Sequence, residues 1–133
     1  MSAENPLTKN QSLVLEALAH GEAPASAYTL LDQLRPEGFR APLQVYRALD
    51  KLIEYGLVHK VDSLNAFIAC AHPHEHRHGF AAFAICDNCG HVDEFSDTAV
   101  ERRLKGWSND HAFKLTSATV ELRGTCETCL ASA

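Results

Sequence analysis

Residues 43–56 read LQVYRALDKLIEYG, and the chain continues LVHKV (57–61), DSLN (62–65), AFIAC (66–70). In the first segment Val45, Ala48, Leu49, Leu52 and Ile53 recur at i, i+3, i+4, i+7 and i+8, the apolar stripe of a helix. Pro42 suits the first helical turn and Gly56 stops the helix. The opposite side carries Gln44, Arg47 and Lys51 at i, i+3 and i+7, with Tyr46 beside them. The two β-rich runs that follow flank a turn-prone connector and read as a hairpin. The polar side offers donors suited to base edges and phosphates: Arg grips guanine through two parallel hydrogen bonds, and Gln does the same for adenine. Ordinary surface charge would explain that side by itself, so the neighbouring elements decide.

Working upstream, Ser26 caps a helix with Leu30, Leu31 and Leu34 inward and Pro36 closing it. Before it, Thr8 caps a helix whose Leu13, Val14, Ala17 and Leu18 share one face, and Gly21 ends it. Three short helices followed by a hairpin is the order of a winged helix-turn-helix, a DNA-binding architecture. Downstream, residues 80–133 read mostly as strands around one helix. The expected fold is therefore α+β: a winged helix over 1–71, a His-rich linker over 72–79, and a small α/β domain over 80–133.

Bulk properties restrict the function classes. The 133 residues are 46% hydrophobic and 22% charged, ordinary for a globular protein. No apolar run approaches the roughly 20 residues that cross a bilayer, and the N-terminus lacks a basic region leading into an apolar core. A cytoplasmic protein is expected, in which five cysteines favour metal over disulfides. The net charge of −5 argues against a generic nucleic-acid coat and against an anionic membrane surface as partner. A local basic face still acts at short range, within about 10 Å at moderate salt.

Two CxxC pairs stand in the second half, CDNC (86–89) and CETC (126–129). Cys86, Cys89, Cys126 and Cys129 can close a tetrahedral tetrathiolate site of the kind zinc occupies, with no open position and hence a structural role. The 36 residues between the pairs exceed the spacing of a compact ribbon, roughly 15–20. A strand, a helix and a strand must intervene, and HVDEF (91–95), TAVERRLKGWSNDH (98–111) and KLTSATVELRG (114–124) supply them.

A second constellation is more dispersed. His59 and Cys70 fall on the two arms of the hairpin; His72, His74, His76 and His78 crowd the linker; His91, His111, Asp93, Glu94 and Glu101 follow. A His–Cys pair with a linker histidine and one carboxylate makes a mixed N/S/O site that suits zinc. Its ligands come from both halves of the chain, so occupancy would control shape, as a sensor requires. The bland alternatives are a small buried cysteine and a solvated loop.

With these residues in view, the chain resembles the ferric uptake regulator superfamily, and most closely its zinc uptake regulator branch. The resemblance runs from about residue 8 to residue 129, on SAYTLLDQL (26–34), VYRALDKLIEYGLVHKVDS (45–63), AICDNCGHVDEF (84–95) and the distal CETC. It implies a homodimeric repressor whose winged helix binds inverted-repeat, double-stranded operator DNA and whose C-terminal domain dimerises. Zinc-loaded dimer would silence zinc-import genes, and metal loss would release it. The resemblance implies two zinc ions per chain. The structural one would sit on the four cysteines. The sensing one would use His59, Cys70, Glu94 and a linker histidine, His78 before His76. It also carries over DNA contacts at Tyr28 and at Arg47, the residue the helix face had already suggested. The superfamily's further regulatory site would draw on the His tract and Glu101. Ala118 stands where its late histidine is expected, with His111 as the substitute. An iron sensor of this superfamily has a carboxylate where Cys70 stands, and thiolate favours zinc. Relative to many members, the N-terminal helix preceding Thr8 and a metal-binding C-terminal tail are expected to be missing.

Three other functions compete. One is a regulator of the same superfamily responding to iron or manganese. Another is a zinc-stabilised interaction module without sensing. The third is a zinc hydrolase with Glu94 or Glu101 as base, against which no HExxH motif or substrate cleft is legible. No enzyme activity, membrane association or small-molecule substrate is expected.

Overall fold

The computed structural model describes residues 7–21, 23–70 and 80–132. The chain divides into two units, Met1–Pro73 and His74–Ala133. The expected linker over 72–79 lies outside the described residues.

In the first unit α1 spans Lys9–His20, and its start is written in the sequence. The Thr8 hydroxyl accepts from the Gln11 N–H at 3.2 Å, while the Gln11 side chain accepts from the Thr8 N–H at 3.0 Å, a reciprocal capping box. Helix α2 spans Ala27–Leu34 and is capped by Ser26, whose hydroxyl accepts from the Thr29 N–H. Pro36 does not end the chain's coiling at once. It opens a 3-10 turn, Arg35–Glu37, which closes at Gly38 with φ 104°, a conformation that favours glycine. Helix α3 spans Pro42–Glu54 with Pro at its first turn. Gly56, at φ 78°, breaks it into strand β1 (Val58–Val61). A 3-10 turn, Asp62–Leu64, and Asn65 in the left-handed region lead to β2 (Ala66–Ala69).

These elements share one core. Val14 of α1, Leu30 of α2, Leu49 and Leu52 of α3, Val58 of β1 and Phe67 of β2 are all buried in it. Each such side chain contributes about 1.5–3 kcal/mol of burial. Ile53, expected inside, is 39% exposed. It stands at the rim of the stripe, where α3 is about to end, and the buried set closes with Leu52. The wing pairs antiparallel, Val58 with Ala69 through Val61 with Ala66. Ala25, just before α2, exchanges two hydrogen bonds with Phe67 and ties the wing to the helices.

The second unit is a three-stranded sheet of order β4-β3-β5, formed by β3 (Phe80–Cys86), β4 (Val92–Phe95) and β5 (Ala118–Gly124). The central strand FAAFAIC is near-continuously apolar, and Phe80, Ala82, Phe83, Ile85 and Cys86 are buried. β4 runs antiparallel to β3, as a short turn permits. β5 runs parallel to β3 and so needs a crossover, which α4 (Thr98–Asp110) supplies from its Asp97 cap. A final short helix, α5 (Glu127–Ser132), was not anticipated and carries the second CxxC pair's last cysteine. No helix among the described residues is long and apolar enough to cross a membrane.

Candidate metal centre

The sheet brings the two CxxC pairs together because β3 ends at Cys86 alongside Gly124, two residues before Cys126. The Asp87 N–H donates to the Gly124 carbonyl at 2.7 Å. Arg123 donates from both Nε (2.9 Å) and Nη2 (2.7 Å) to Asp87 Oδ1. Gly90, at φ 80°, turns the first knuckle back so that the Cys86 N–H reaches the His91 carbonyl.

The ligand sulfurs of Cys86, Cys89, Cys126 and Cys129 all lie within 4.8 Å of one another. Cys86 and Cys129 are 3.8 Å apart, and Cys89 and Cys126 are 3.7 Å apart. Both are far longer than a disulfide, about 2.05 Å. Four sulfurs held about 2.3 Å from one ion form a tetrahedron with edges of about 3.8 Å, so the spacing fits a tetrathiolate zinc centre. The donors around the sulfurs fit thiolates as well. Cys86 Sγ accepts from the N–H groups of Cys89 (3.4 Å) and Cys126 (3.3 Å), and Cys129 Sγ accepts from Asn88 Nδ2 (3.1 Å).

The sulfurs are electrostatically unequal. The N–H groups of Cys89 and Cys126 hold the Cys86 thiol down to about 6, from an ordinary 9.0. Asn88 pulls on Cys129 in the same direction, but the Cys126 sulfur, burial and the other two sulfurs outweigh it and push that thiol up to about 11. Cys89 is held down by the His91 N–H, yet the Cys86 sulfur and burial raise it overall. Crowded sulfurs that resist sharing negative charge are a set that calls for a cation.

On the wing, His59 pairs with Ile68, and the Cys70 N–H donates to the Leu57 carbonyl at 2.8 Å, extending the ladder by one pair. Positions 57, 59, 68 and 70 therefore share a face. The ligand atoms of His59 and Cys70 lie within 4.8 Å of each other. Glu94 is half-buried on β4, opposite Phe83. His76 and His78 lie outside the described residues. Glu101, in the first turn of α4, is ion-paired with Lys105 at 3.1 Å. His111, at the other end of the same helix, stacks on Trp107 with centroids 4.2 Å apart and donates from Nδ1 to the Trp107 carbonyl. Ten residues of helix separate them, about 15 Å, so these two do not share one ion.

The DNA-contact candidates all belong to the first unit. Tyr28 is 63% exposed, and Tyr46, Arg47 and Lys51 are exposed on α3. Gln44, Arg47 and Lys51 line a groove with Thr8, Asn10 and Gln11 of the α1 start. Lys51 makes an exposed pair with Glu54 at 3.4 Å. Gln44 does more than face outward. Its Oε1 accepts from the N–H groups of Arg40 (2.6 Å) and Ala41 (3.1 Å), capping α3, which leaves only Nε2 to donate. The sequence offers no signal for Asp87, Asn88 and Arg123 beyond their nearness to the cysteines, because their bonds depend on strand register.

A winged helix in one unit and four sulfurs at tetrahedral spacing in the other define the class: a winged-helix protein equipped to hold metal. Residues 5–123 match the model of the Ferric uptake regulator family, and the chain belongs to that family. It is 38% identical to the zinc uptake regulation protein of Escherichia coli strain K12 over 125 residues, covering 93% of this chain and 72% of that protein. It is 31% identical to the ferric uptake regulation protein of Campylobacter upsaliensis over 127 residues, covering 92% of this chain and 78% of that protein. Among solved structures it is similar to a zinc uptake regulator complexed with zinc and DNA. There the TM-score is 0.90 and the identity 36%, over 98% of this chain and 87% of that one. It is also similar to holo XcZur, with a TM-score of 0.86 and 40% identity over 94% and 86% of the two chains.

Proposed function

We propose that the protein is a cytoplasmic, zinc-responsive transcriptional repressor that binds operator DNA as a zinc-loaded homodimer and represses zinc-uptake genes, and that it is not an enzyme. The observation that carries this reading is the likeness, over 98% of the chain, to a zinc uptake regulator complexed with zinc and DNA. The tetrahedral spacing of the four sulfurs supports a structural zinc on Cys86, Cys89, Cys126 and Cys129. Bound there, a divalent ion offsets the crowded negative charge of the thiolates.

The sensing site is assigned to His59 and Cys70 of the wing, with Glu94 and His78 completing it as the family resemblance implies. The wing is well placed to report occupancy, because β1 follows α3 after Gly56 and only two residues separate Gly56 from His59. The thiolate of Cys70 favours zinc over the hard ligands of a ferrous or manganous site. Coupling of about 1–3 kcal/mol between the two sites changes DNA affinity tenfold to a hundredfold. Dimerisation is supported by apolar side chains that one protomer leaves exposed: Val100, Leu104 and Trp107 on one face of α4, Leu122 on β5 and Leu130 on α5. An isolated chain rarely leaves so many uncovered. Tyr28, Tyr46, Arg47 and Lys51 are assigned to the DNA face, with Gln44 supporting α3 from its first turn.

The test counts metal per chain before and after mild chelation while following binding to a duplex selected from a random library by the zinc-loaded protein. Two zinc ions are expected, one leaving easily together with DNA binding. His59→Ala with Cys70→Ser should abolish zinc-dependent binding while keeping the other ion. Equal grip by metal-free and loaded protein sinks the sensor reading, and tighter binding with iron or manganese than with zinc sinks the choice of metal.

A further inference from the structure

We infer that Asn88 is a positioning residue of the tetrathiolate centre: its side-chain amide reaches from the first knuckle to the second and holds the Cys129 sulfur, setting how long the centre keeps its metal. This rests on the reading of the four cysteines as a zinc site. The bond itself is short, 3.1 Å from Nδ2 to Sγ, between residues 41 apart in sequence. The amide nitrogen is the end that faces the sulfur, because an amide oxygen there would meet the electron-rich thiolate without a proton between them.

The four cysteines differ in what else secures them. Cys86 is buried at the end of the central strand and receives two backbone N–H groups. Cys129 sits on α5, six residues long, none of them buried. Leu130, beside it, is exposed in the single chain, its cover assigned above to the partner protomer. The Leu130 N–H donates to the Cys126 carbonyl, a bond within the second knuckle that does not join it to the first. Asn88 is therefore the side-chain amide that ties Cys129 to the first knuckle, where the Cys86 sulfur also lies 3.8 Å from it. Its neighbour Asp87 does not compete, since Arg123 and the Gly124 carbonyl hold that residue.

The charge balance gives this bond its leverage. Four thiolates around one divalent cation leave a net charge of −2, spread over the sulfurs. An N–H donor stabilises the sulfur it faces in that charged state. Without Asn88, Cys129 loses the side-chain N–H donor that faces its sulfur, and it becomes the first ligand to leave.

The experiment uses the full-length, zinc-loaded protein with Asn88→Ala and with Asn88→Asp, which keeps the shape and turns a donor into an acceptor. Zinc transfer to an excess of chromogenic chelator is timed, and the order of cysteine alkylation is mapped by mass spectrometry. Removing a ligand's outer hydrogen-bond partner typically weakens metal binding about 10–100-fold. Asn88→Ala should release zinc faster by that order and Asn88→Asp faster still, with Cys129 alkylated before the other three. Release at the wild-type rate in both variants overturns the inference, as does an acceleration in which all four cysteines react together. If the zinc-loaded wild type alkylates all four as fast as metal-free protein, the tetrathiolate reading falls and this inference goes with it.

Discussion

Arg123 on β5 holds Asp87 of the first knuckle through two N–H donors on a single carboxylate oxygen, at 2.9 and 2.7 Å. The pair closes the same corner that the Asp87 N–H closes by donating to Gly124. Both side chains are about half exposed, so water screens the attraction. Arg123→Ala should cost about 0–1 kcal/mol of stability in the zinc-loaded protein, read from the urea midpoint. A loss above about 2 kcal/mol would mean the corner depends on the ion pair and not on the backbone bond.

The thiols give the metal-free protein a pH dependence of definite sign. Cys86 is depressed to about 6 in the folded chain from 9.0. Its contribution to stability is fully present above pH 9 and is lost as pH falls through about 6. Cys129 is raised to about 11, so its contribution is fully present below pH 9 and is lost as pH rises through 11. Between pH 9 and 6 only the Cys86 contribution changes. The difference in stability between metal-free wild type and Cys86→Ser should therefore shrink on acidification across that window, as followed by chemical denaturation. A difference that grows toward pH 6 would reverse the assignment.

How much was legible beforehand depended on how local each cause was. Thr8 and Gln11 stand three apart and cap α1 by themselves, and Gly56 has to follow α3 wherever the chain goes. The strand-helix-strand between the cysteine pairs was legible because 36 residues exceed a compact ribbon and carry three runs of their own. Ile53 was misplaced because periodicity names a stripe and not the point where its edge meets water. Helix α5 was missed because six residues, starting inside a knuckle, carry no apolar period. Asn88 and Arg123 acquire their roles only when β5 lies in register beside β3, which no local pattern encodes. Gln44 shows a further limit. Its position on the helix wheel pointed to DNA, while its carbonyl was claimed by the two N–H groups that precede α3.

That double duty of Gln44 can be separated. Gln44→Ala removes the acceptor for two N–H groups and should cost about 1 kcal/mol. Gln44→Glu keeps an acceptor there and places negative charge at the start of α3, where it is tolerated. It should hold the wild-type urea midpoint yet weaken DNA binding, because the donor is gone and phosphate is repelled. Fluorescence anisotropy on the selected duplex reads the second effect. Undiminished binding by Gln44→Glu would leave Gln44 a cap and nothing more.

The core of the first unit should be intolerant at Leu49, which α3 buries fully in the cluster it shares with α1, α2 and the wing. Leu49→Ala opens a cavity and should cost about 2–5 kcal/mol. Ile53→Ala, four residues on but 39% exposed, should cost well under half of that. Thermal unfolding of the two variants compares them directly, and equal losses would place Ile53 in the core after all.

Arg47 and Lys51 are one turn apart on the same exposed face of α3, and their chemistry predicts different failures. Arg carries a planar fork that can accept the geometry of a guanine edge, whereas Lys is a point charge already partnered at 3.4 Å by Glu54 in solvent. Arg47→Ala should cost about 1–3 kcal/mol on the preferred duplex and flatten the preference at one base pair per half-site. Lys51→Ala should weaken good and poor duplexes alike and lower the salt slope by about one per protomer, hence about two per dimer. Binding isotherms at several salt concentrations, on the selected duplex and on one with a single altered pair, separate the two. If Arg47→Ala lowers the salt slope while leaving base preference intact, the fork reads phosphate, and sequence must be read elsewhere on this face, with Tyr28 and Tyr46 as the exposed side chains left to do it.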